Sequence, residues 1–362
     1  MGNKIICFSD NRADVTVAFK DYLNHYLSEI ENRQGYSYDK TVDFATKEAK
    51  VNGLIAKEVS KLANVDFSAA SPAQMSTNPM VQWGYFAVVN SLIDMVIPEV
   101  LDKSIGIYTE QRFVDFGDSM TFTVAPNDLF YVSKAGRDQR TVNFQKQFEG
   151  QATVVPENRA ISVSVNLYKV MCQTESIAKF VTKAILSLEA QITREVFTAF
   201  NTAMNDLPST GNAKLKVTGY SKTEAIRLAQ TVTAYNSGAK AVFLGTPLAL
   251  SYILPDGDKY RYFIDSDYVK MGYVRTAFGY DTLVMPQVAD WTAPYKLALD
   301  GKKIYVVSPS SQKPVKLVYE GSAITNTINA FDAANLTEST TINKSYGIAI
   351  ATNAIAGEID LS

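Results

Sequence analysis

The chain has 362 residues but only one histidine, His25, and two cysteines, Cys7 and Cys172. That count excludes a three-histidine catalytic zinc and every four-ligand Cys/His zinc set. Two cysteines build no disulfide framework, which fits a reducing compartment. A Cys–His dyad or an HExxH helix has only His25 to draw on, and it lies between Tyr22 and Tyr26 on an apolar helical stripe, where a packing role is expected. No GxxxxGK[ST] loop, no GxGxxG after a strand and no GxSxG elbow occurs. Charge of one sign is lacking as well: 35 Lys plus Arg against 37 Asp plus Glu leave a formal net charge of −2. No global field draws such a chain onto nucleic acid or an anionic membrane.

Long apolar runs are also missing. Met1 to Ile6 contains no signal-peptide core and meets Asp10, Arg12 and Asp14 at once, and Ile6 stands where a myristoylation motif needs Ser or Thr. The uncharged stretch Phe67 to Ile93 becomes strongly apolar only near Met80 and is cut by Asp94 and Pro98. About 14 apolar residues predict a buried helix, since a membrane span needs about 20. Asn335-Leu336-Thr337 and Asn343-Lys344-Ser345 match the glycosylation pattern but have no secretory route.

What is present is apolar and aromatic: 46% hydrophobic residues, with 20 Tyr and 18 Phe, enough for a large core in two or three subdomains. Val15, Phe19, Tyr22, Leu23, Tyr26, Leu27 and Ile30 recur at spacings of three and four and predict an amphipathic helix. A second is expected from Tyr38 to Ala63, with Val51, Leu54, Ile55, Val59 and Leu62 on one face. Ser68 to Pro79 reads as a small-residue linker, followed by an apolar helix from Met80 to Pro98. Met120, Phe122 and Val124 then alternate, as do Ile161, Val163 and Val165, predicting a long two-stranded arm. The strongest signal is a helix from Thr174 to Asp206, uninterrupted by Gly or Pro. Beyond it, Ser221 to Glu224 reads as a capping box, Ala241 to Leu244 as a buried strand and Thr246-Pro247 as a helix start. Strands are expected at Thr282 to Met285, Ile304 to Val307, Val315 to Tyr319 and Tyr346 to Ile350.

Three groups have chemistry to offer. Asp256, Asp258, Asp265 and Asp267 supply oxygen ligands for a hard cation, though not at EF-hand spacing, and an exposed loop is the simpler reading. Cys172 precedes the long helix and reads as a packing residue, because no histidine is placed to activate it. In the arm, Phe130, Tyr131, Lys134, Arg137, Arg140, Phe144, Lys146 and Phe148 mix aromatic and basic side chains with Asp128, Asp138 and Glu149. Interleaved signs suit a protein contact better than single-stranded nucleic acid.

The order of these parts resembles the HK97-type major capsid proteins of tailed double-stranded DNA bacteriophages. Ala241-Val242-Phe243-Leu244-Gly245-Thr246-Pro247 is similar to that family's strand-then-helix step, and Gly279 to Pro286 to its glycine-led apolar strand. The resemblance implies an α+β fold. Its expected divisions are an N-terminal helical segment at 1–66, an N-arm at 67–102, an E-loop at 103–165, a P domain at 166–213 and 301–362 with its spine helix at 174–206, and an A domain at 214–300. It implies a non-enzymatic subunit with no cofactor, metal or membrane. Such a subunit assembles with itself into hexamers and pentamers of an icosahedral shell, using the eight aromatic and basic arm residues between neighbours. It also implies a virion location after assembly in the host cytoplasm, DNA enclosed without sequence-specific binding, and portal, scaffolding and decoration proteins as further partners. An encapsulin-like compartment shell is the nearest alternative. A cation-dependent hydrolase built on the four aspartates is the alternative of another class.

Overall fold

The computed structural model describes residues 11–33, 35–67, 71–106, 109–124, 149–165, 169, 175–205, 207–209, 214–253, 271–285, 287–290, 294–308, 313–328, 338–352 and 354–361. Four helices come first: α1 (Asn11–His25), running into a π-helical turn (Tyr26–Ile30), α2 (Phe44–Ala63), α3 (Pro72–Thr77) and α4 (Pro79–Ile105). Strands β1 (Thr109–Val114), β2 (Met120–Val124), β3 (Gly150–Val154) and β4 (Glu157–Val165) precede the long helix α5 (Ile177–Asn205). Then follow β5 (Lys216–Thr218), α6 (Lys222–Tyr235), β6 (Val242–Gly245), α7 (Pro247–Leu250), β7 (Thr276–Ala277), β8 (Tyr280–Val284), β9 (Lys303–Val307), β10 (Val315–Ile328), β11 (Glu338–Ile350) and β12 (Gly357–Asp360). The class is α+β, as the resemblance implies.

Val15, Phe19, Tyr22, Leu23 and Leu27 of the first stripe are buried, whereas Ile30 is 56% exposed. The wider turn starting at Tyr26 breaks the 3.6-residue phase and swings Ile30 outward. α2 starts later than expected because Asp43 caps it, accepting from the Thr46 amide, and it stops at Asn64 in a left-handed conformation. The expected linker holds a short helix, α3, closed by a reciprocal Ser71–Gln74 capping box.

α4 does not end at Pro98. An interior proline costs about 3 kcal/mol, but Ile97, Val100, Leu101 and Ile105 are buried around or beyond it, each stabilising by about 1.5–3 kcal/mol. At 27 residues α4 is long and apolar enough to cross a membrane by length and composition, which overturns the length argument made from Pro98. Most of its apolar side chains pack within the subunit, against α1, α2, α5 and β10, while Met80 and Trp83 near its start are exposed.

α4 and α5 also pack against a four-stranded sheet of order β1-β10-β11-β4. β1 runs parallel to β10 with Thr109 opposite Val315, and β11 is antiparallel to both β10 and β4. The alternating run at Ile161 therefore pairs with β11, Ile161 opposite Ile342, and not with Met120 to Val124. The two-stranded stem is β2–β3, with Met120 opposite Val154 and Val124 opposite Gly150. Period two marks a strand without naming its partner, and the chain changes sheets at Pro156.

The six-stranded sheet, β5-β12-β9-β6-β8-β7, has its own core around Leu228, Val232, Phe243, Leu250, Ile304 and Ile359. It crosses the boundary expected at residue 300, because β9 and β12 complete it. β12 went unread because four residues carrying two acids give no pattern. Gly357 is required there, since a Cβ would lie 2.6 Å from Leu228. Ser221 stands at the start of α6 without a side-chain cap, and Glu224 turns to Arg227 instead. Thr246 caps α7 as expected, accepting from the Ala249 amide.

Candidate assembly site

The root of the arm is built on β10. Phe122 and Val154, from opposite stem strands, bury themselves against Val318. Arg112 and Lys316 lie over the Phe122 ring at 5.0 and 5.4 Å, a cation–π pair of contacts. Glu110 holds both cations, at 2.5 Å from Lys316 and 2.7 Å from Arg112. Burial pushes the Glu110 carboxyl up, but the hydrogen bonds from Lys316 and Arg112 outweigh this and hold it below its ordinary value. Its support for the root is therefore present above the ordinary carboxylate range and is lost as pH falls. The Gly117 amide, in the β1–β2 turn, donates to Glu320 at 2.6 Å and fixes the other end.

β11 must pass close beneath the stem, and Gly347 permits it. A Cβ there would meet the Val155 carbonyl at 2.7 Å and Val154 Cγ1 at 2.8 Å. Gly347→Ala is expected to lower stability by about 1–3 kcal/mol, as overpacking does, measured by urea unfolding. An unchanged midpoint would show that the stem is free to lift.

Around this root the surface is apolar. Phe116 is 77% exposed, Val155 67% and Phe113 51%, and Phe113 stacks on buried Tyr319 at 5.2 Å. Leu248 on α7, Tyr252 just after it, and Tyr295 and Leu297 in the segment leading to β9 are exposed as well. Single exposed apolar residues are ordinary, but Phe113, Phe116 and Val155 stand together in the β1–β2 and β3–β4 segments at the base of one arm.

The expected arm residues Phe130, Tyr131, Lys134, Arg137, Arg140, Phe144, Lys146 and Phe148 lie outside the described residues, as do Cys7, Cys172, Asp256, Asp258, Asp265 and Asp267. His25 stacks on Tyr38 at 4.3 Å and meets Phe44 edge-on, a packing position. Among the described residues no group of three or more His, Cys, Asp and Glu could hold a metal ion.

The sequence reading missed the polar pins that hold the elements under the root. Arg33 reaches Glu189 on α5 at 2.7 Å. Asn52 of α2 accepts from the Ala178 amide and so caps the start of α5. Lys344 of β11 meets Asp94 of α4 at 2.6 Å, and Arg159 of β4 meets Glu195 of α5 at 3.2 Å. A signal existed for two of these: Glu189 falls in phase with Ile185 and Ile192 on the apolar stripe, and Asp94 interrupts the apolar helix.

The family described as "SPbeta prophage-derived putative capsid protein YonB" matches residues 27–360. No curated protein sequence matches the chain. Among solved structures, the capsid of a native GTA particle is similar over 70% of this chain and 88% of its own, at 13% identity and a TM-score of 0.48. The mature capsid of bacteriophage PhiM1 covers 69% and 85%, at 12% identity and a TM-score of 0.47. The procapsid of satellite phage P4, which includes the size determination (Sid) protein, covers 74% and 90%, at 8% identity and a TM-score of 0.47. These are distant likenesses of shape.

Proposed function

The chain belongs to the family of the SPbeta prophage-derived capsid protein YonB, and we propose that it is the HK97-type major capsid protein of a tailed bacteriophage. The carrying observation is that family match over residues 27–360. The anchored, apolar-rimmed root of the β2–β3 arm supports a role in contacts between subunits. On this reading copies of the chain form hexamers and pentamers through the 214–300 region, to which β9 and β12 are joined by sheet pairing. The arm reaches over a neighbour, with Phe130, Tyr131, Lys134, Arg137, Arg140, Phe144, Lys146 and Phe148 as its contacts. The protein then works without catalysis, in the virion, after assembly in the host cytoplasm. Portal, scaffolding and decoration proteins complete the particle, and DNA is held by confinement, in keeping with a net charge of −2.

Replacing residues 126–148 by a short Gly-Ser linker tests the arm. The stem strands and both cores remain, so a folded, soluble subunit is expected that makes capsomers and no closed shells in negative-stain micrographs. Closed shells from this variant would sink the clamp. Nucleic acid in purified wild-type particles separates a virion shell from a compartment shell, which would enclose protein cargo.

A further inference from the structure

The net charge of −2 averages over two faces of opposite sign. β10 separates them: Leu317 and Tyr319 point into the core shared with α4 and α5, and Val318, between them, is buried against the stem. α2 packs in turn on α4 and α5. The layers therefore run stem, four-stranded sheet, α4 with α5, then α2. On the stem side, between residues 109 and 165, the exposed charges that make no ion pair among the described residues are acids: Asp115, Asp118 and Glu149. Arg112 is held by Glu110 there, and Arg159 by Glu195.

The outer side of α2 is the reverse. Thr46, Lys50, Gly53, Lys57 and Lys61 recur at spacings of three and four and are all exposed, opposite the buried Val51, Ile55 and Val59. No acid shares this stripe. Acids on neighbouring turns are engaged: Asp21 with Lys47, Asp43 in the cap of α2 and Glu48 with Lys179, while Glu58 is 1% exposed. Lys50 has Asp39 nearby, but that carboxylate accepts from Thr41. Lys179 and Lys183, exposed one turn apart on α5, widen the patch beside Glu48. Two features of the stripe serve nothing within the subunit. Lys57 and Lys61, one turn apart, repel each other and disfavour the helix. Gly53, between Lys50 and Lys57, weakens a helix interior, and a Cβ there would meet nothing within 4 Å, so no packing contact demands it.

Both features suit a polyanion, which neutralises the lysines and whose backbone can approach closely where a side chain is missing. We propose that the α2 face lines the inside of the shell and that Lys50, Lys57 and Lys61 lie against the phosphates of the enclosed double-stranded DNA. This contact rests on the capsid reading, which supplies the duplex; the charges decide which way the wall faces. The acidic stem side repels a duplex and so faces outward. Lys50 to Lys61 spans about 16 Å along the helix, at about 1.5 Å per residue, against a duplex that carries one phosphate per roughly 1.7 Å of its axis. Three lysines neutralise only part of that charge, and phosphates carry no sequence information. The contact is therefore weak for one copy, independent of sequence and repeated around the shell.

Fluorescence anisotropy of a short labelled DNA duplex, titrated with the unassembled full-length subunit at several salt concentrations, tests this. Each neutralised phosphate contributes about −0.9 to the slope of log affinity against log salt, so three lysines contribute about −2.7, an about 40-fold weakening between about 50 and 200 mM. A variant combining Lys50→Gln, Lys57→Gln and Lys61→Gln keeps helix-forming side chains and should show a slope shallower by about 2.7. Lys→Arg at the same three positions should retain the wild-type slope, and Asp115→Asn with Asp118→Asn should leave it unchanged. Equal slopes for wild type and the glutamine variant overturn the contact, as does a slope that changes with the aspartate pair instead. Negative-stain micrographs keep the two readings apart: wild type and the glutamine variant should both form shells. Shells lost from the glutamine variant alone mark the α2 face as a contact between proteins and overturn the DNA contact. A wild type that forms no shells sinks the capsid reading, and with it the inward placement of α2.

Discussion

Removing residues 1–66 is expected to leave a chain that does not fold into a soluble subunit. α1 and α2 contribute Val15, Phe19, Tyr22, Leu23, Leu27, Val51, Ile55 and Val59 to the same core as α4, α5 and the four-stranded sheet. Each such side chain stabilises by about 1.5–3 kcal/mol, and the eight together match or exceed the roughly 5–15 kcal/mol that holds a typical fold together. The deletion also takes away Asn52, stripping α5 of its cap, and Arg33, leaving Glu189 buried without its cation. Burial pushes the Glu189 carboxyl up even with Arg33 opposing it. Its contribution is therefore fullest at acid pH and falls as pH rises through the raised value. Arg33→Ala alone should accordingly cost more at neutral pH than at acid pH. Solubility and circular dichroism of the deletion variant, beside urea midpoints of Arg33→Ala at two pH values, check both. A soluble, cooperatively unfolding deletion variant would show instead that the segment is an appendage, open to removal during maturation.

The distinction between arm and core was only partly legible in the sequence. Stripes on α1, α2 and α5 were readable because each buries one face, and period 3.6 reports a face directly. Which face meets which was not, because packing partners leave no periodic trace. α2 was therefore read as apart from α4, although Gly84 lets Val59 approach: a Cβ at Gly84 would lie 3.1 Å from Val59 Cγ1. Strand pairing failed in the same way at Ile161, and β1 and β12 were too short and too charged to stand out. The arm was legible from alternation at Met120 to Val124, yet its anchorage depends on Glu110 and Lys316, 206 positions apart, and on Gly347, residues that only the pairing of β1, β10 and β11 brings to the stem. Lys316 alternates with Val315 and Leu317, and Lys344 lies just before the strand expected at Tyr346, so neither position announces burial in the sequence. Both are buried, because α4 and the stem cover the sheet faces on which they lie.

Lys344 supplies the second large effect. Asp94→Ala is expected to destabilise the unassembled subunit by about 3–5 kcal/mol, the range for removing one partner of a buried ion pair. The Lys344 side chain is 5% exposed and its Nζ has Asp94 Oδ1 at 2.6 Å and the Gly321 carbonyl at 2.9 Å. Asp94 also accepts from the Ala323 amide, at 2.9 Å, where the β10–β11 register shifts. Its loss therefore strands a buried ammonium and a backbone donor together. Glu110→Gln supplies the contrast: Glu110 is 29% exposed and water can replace what it gives Lys316, so a cost within about 1 kcal/mol is expected. Replacing both partners, Asp94→Leu with Lys344→Met, should recover most of the Asp94→Ala loss, because two apolar side chains need no counter-charge. Urea unfolding of the four proteins at one pH measures all of this. An Asp94→Ala loss within about 1 kcal/mol, the range expected for Glu110→Gln, would mean that solvent reaches Lys344, and that α4 is not clamped to the bulge of β10 as the geometry requires.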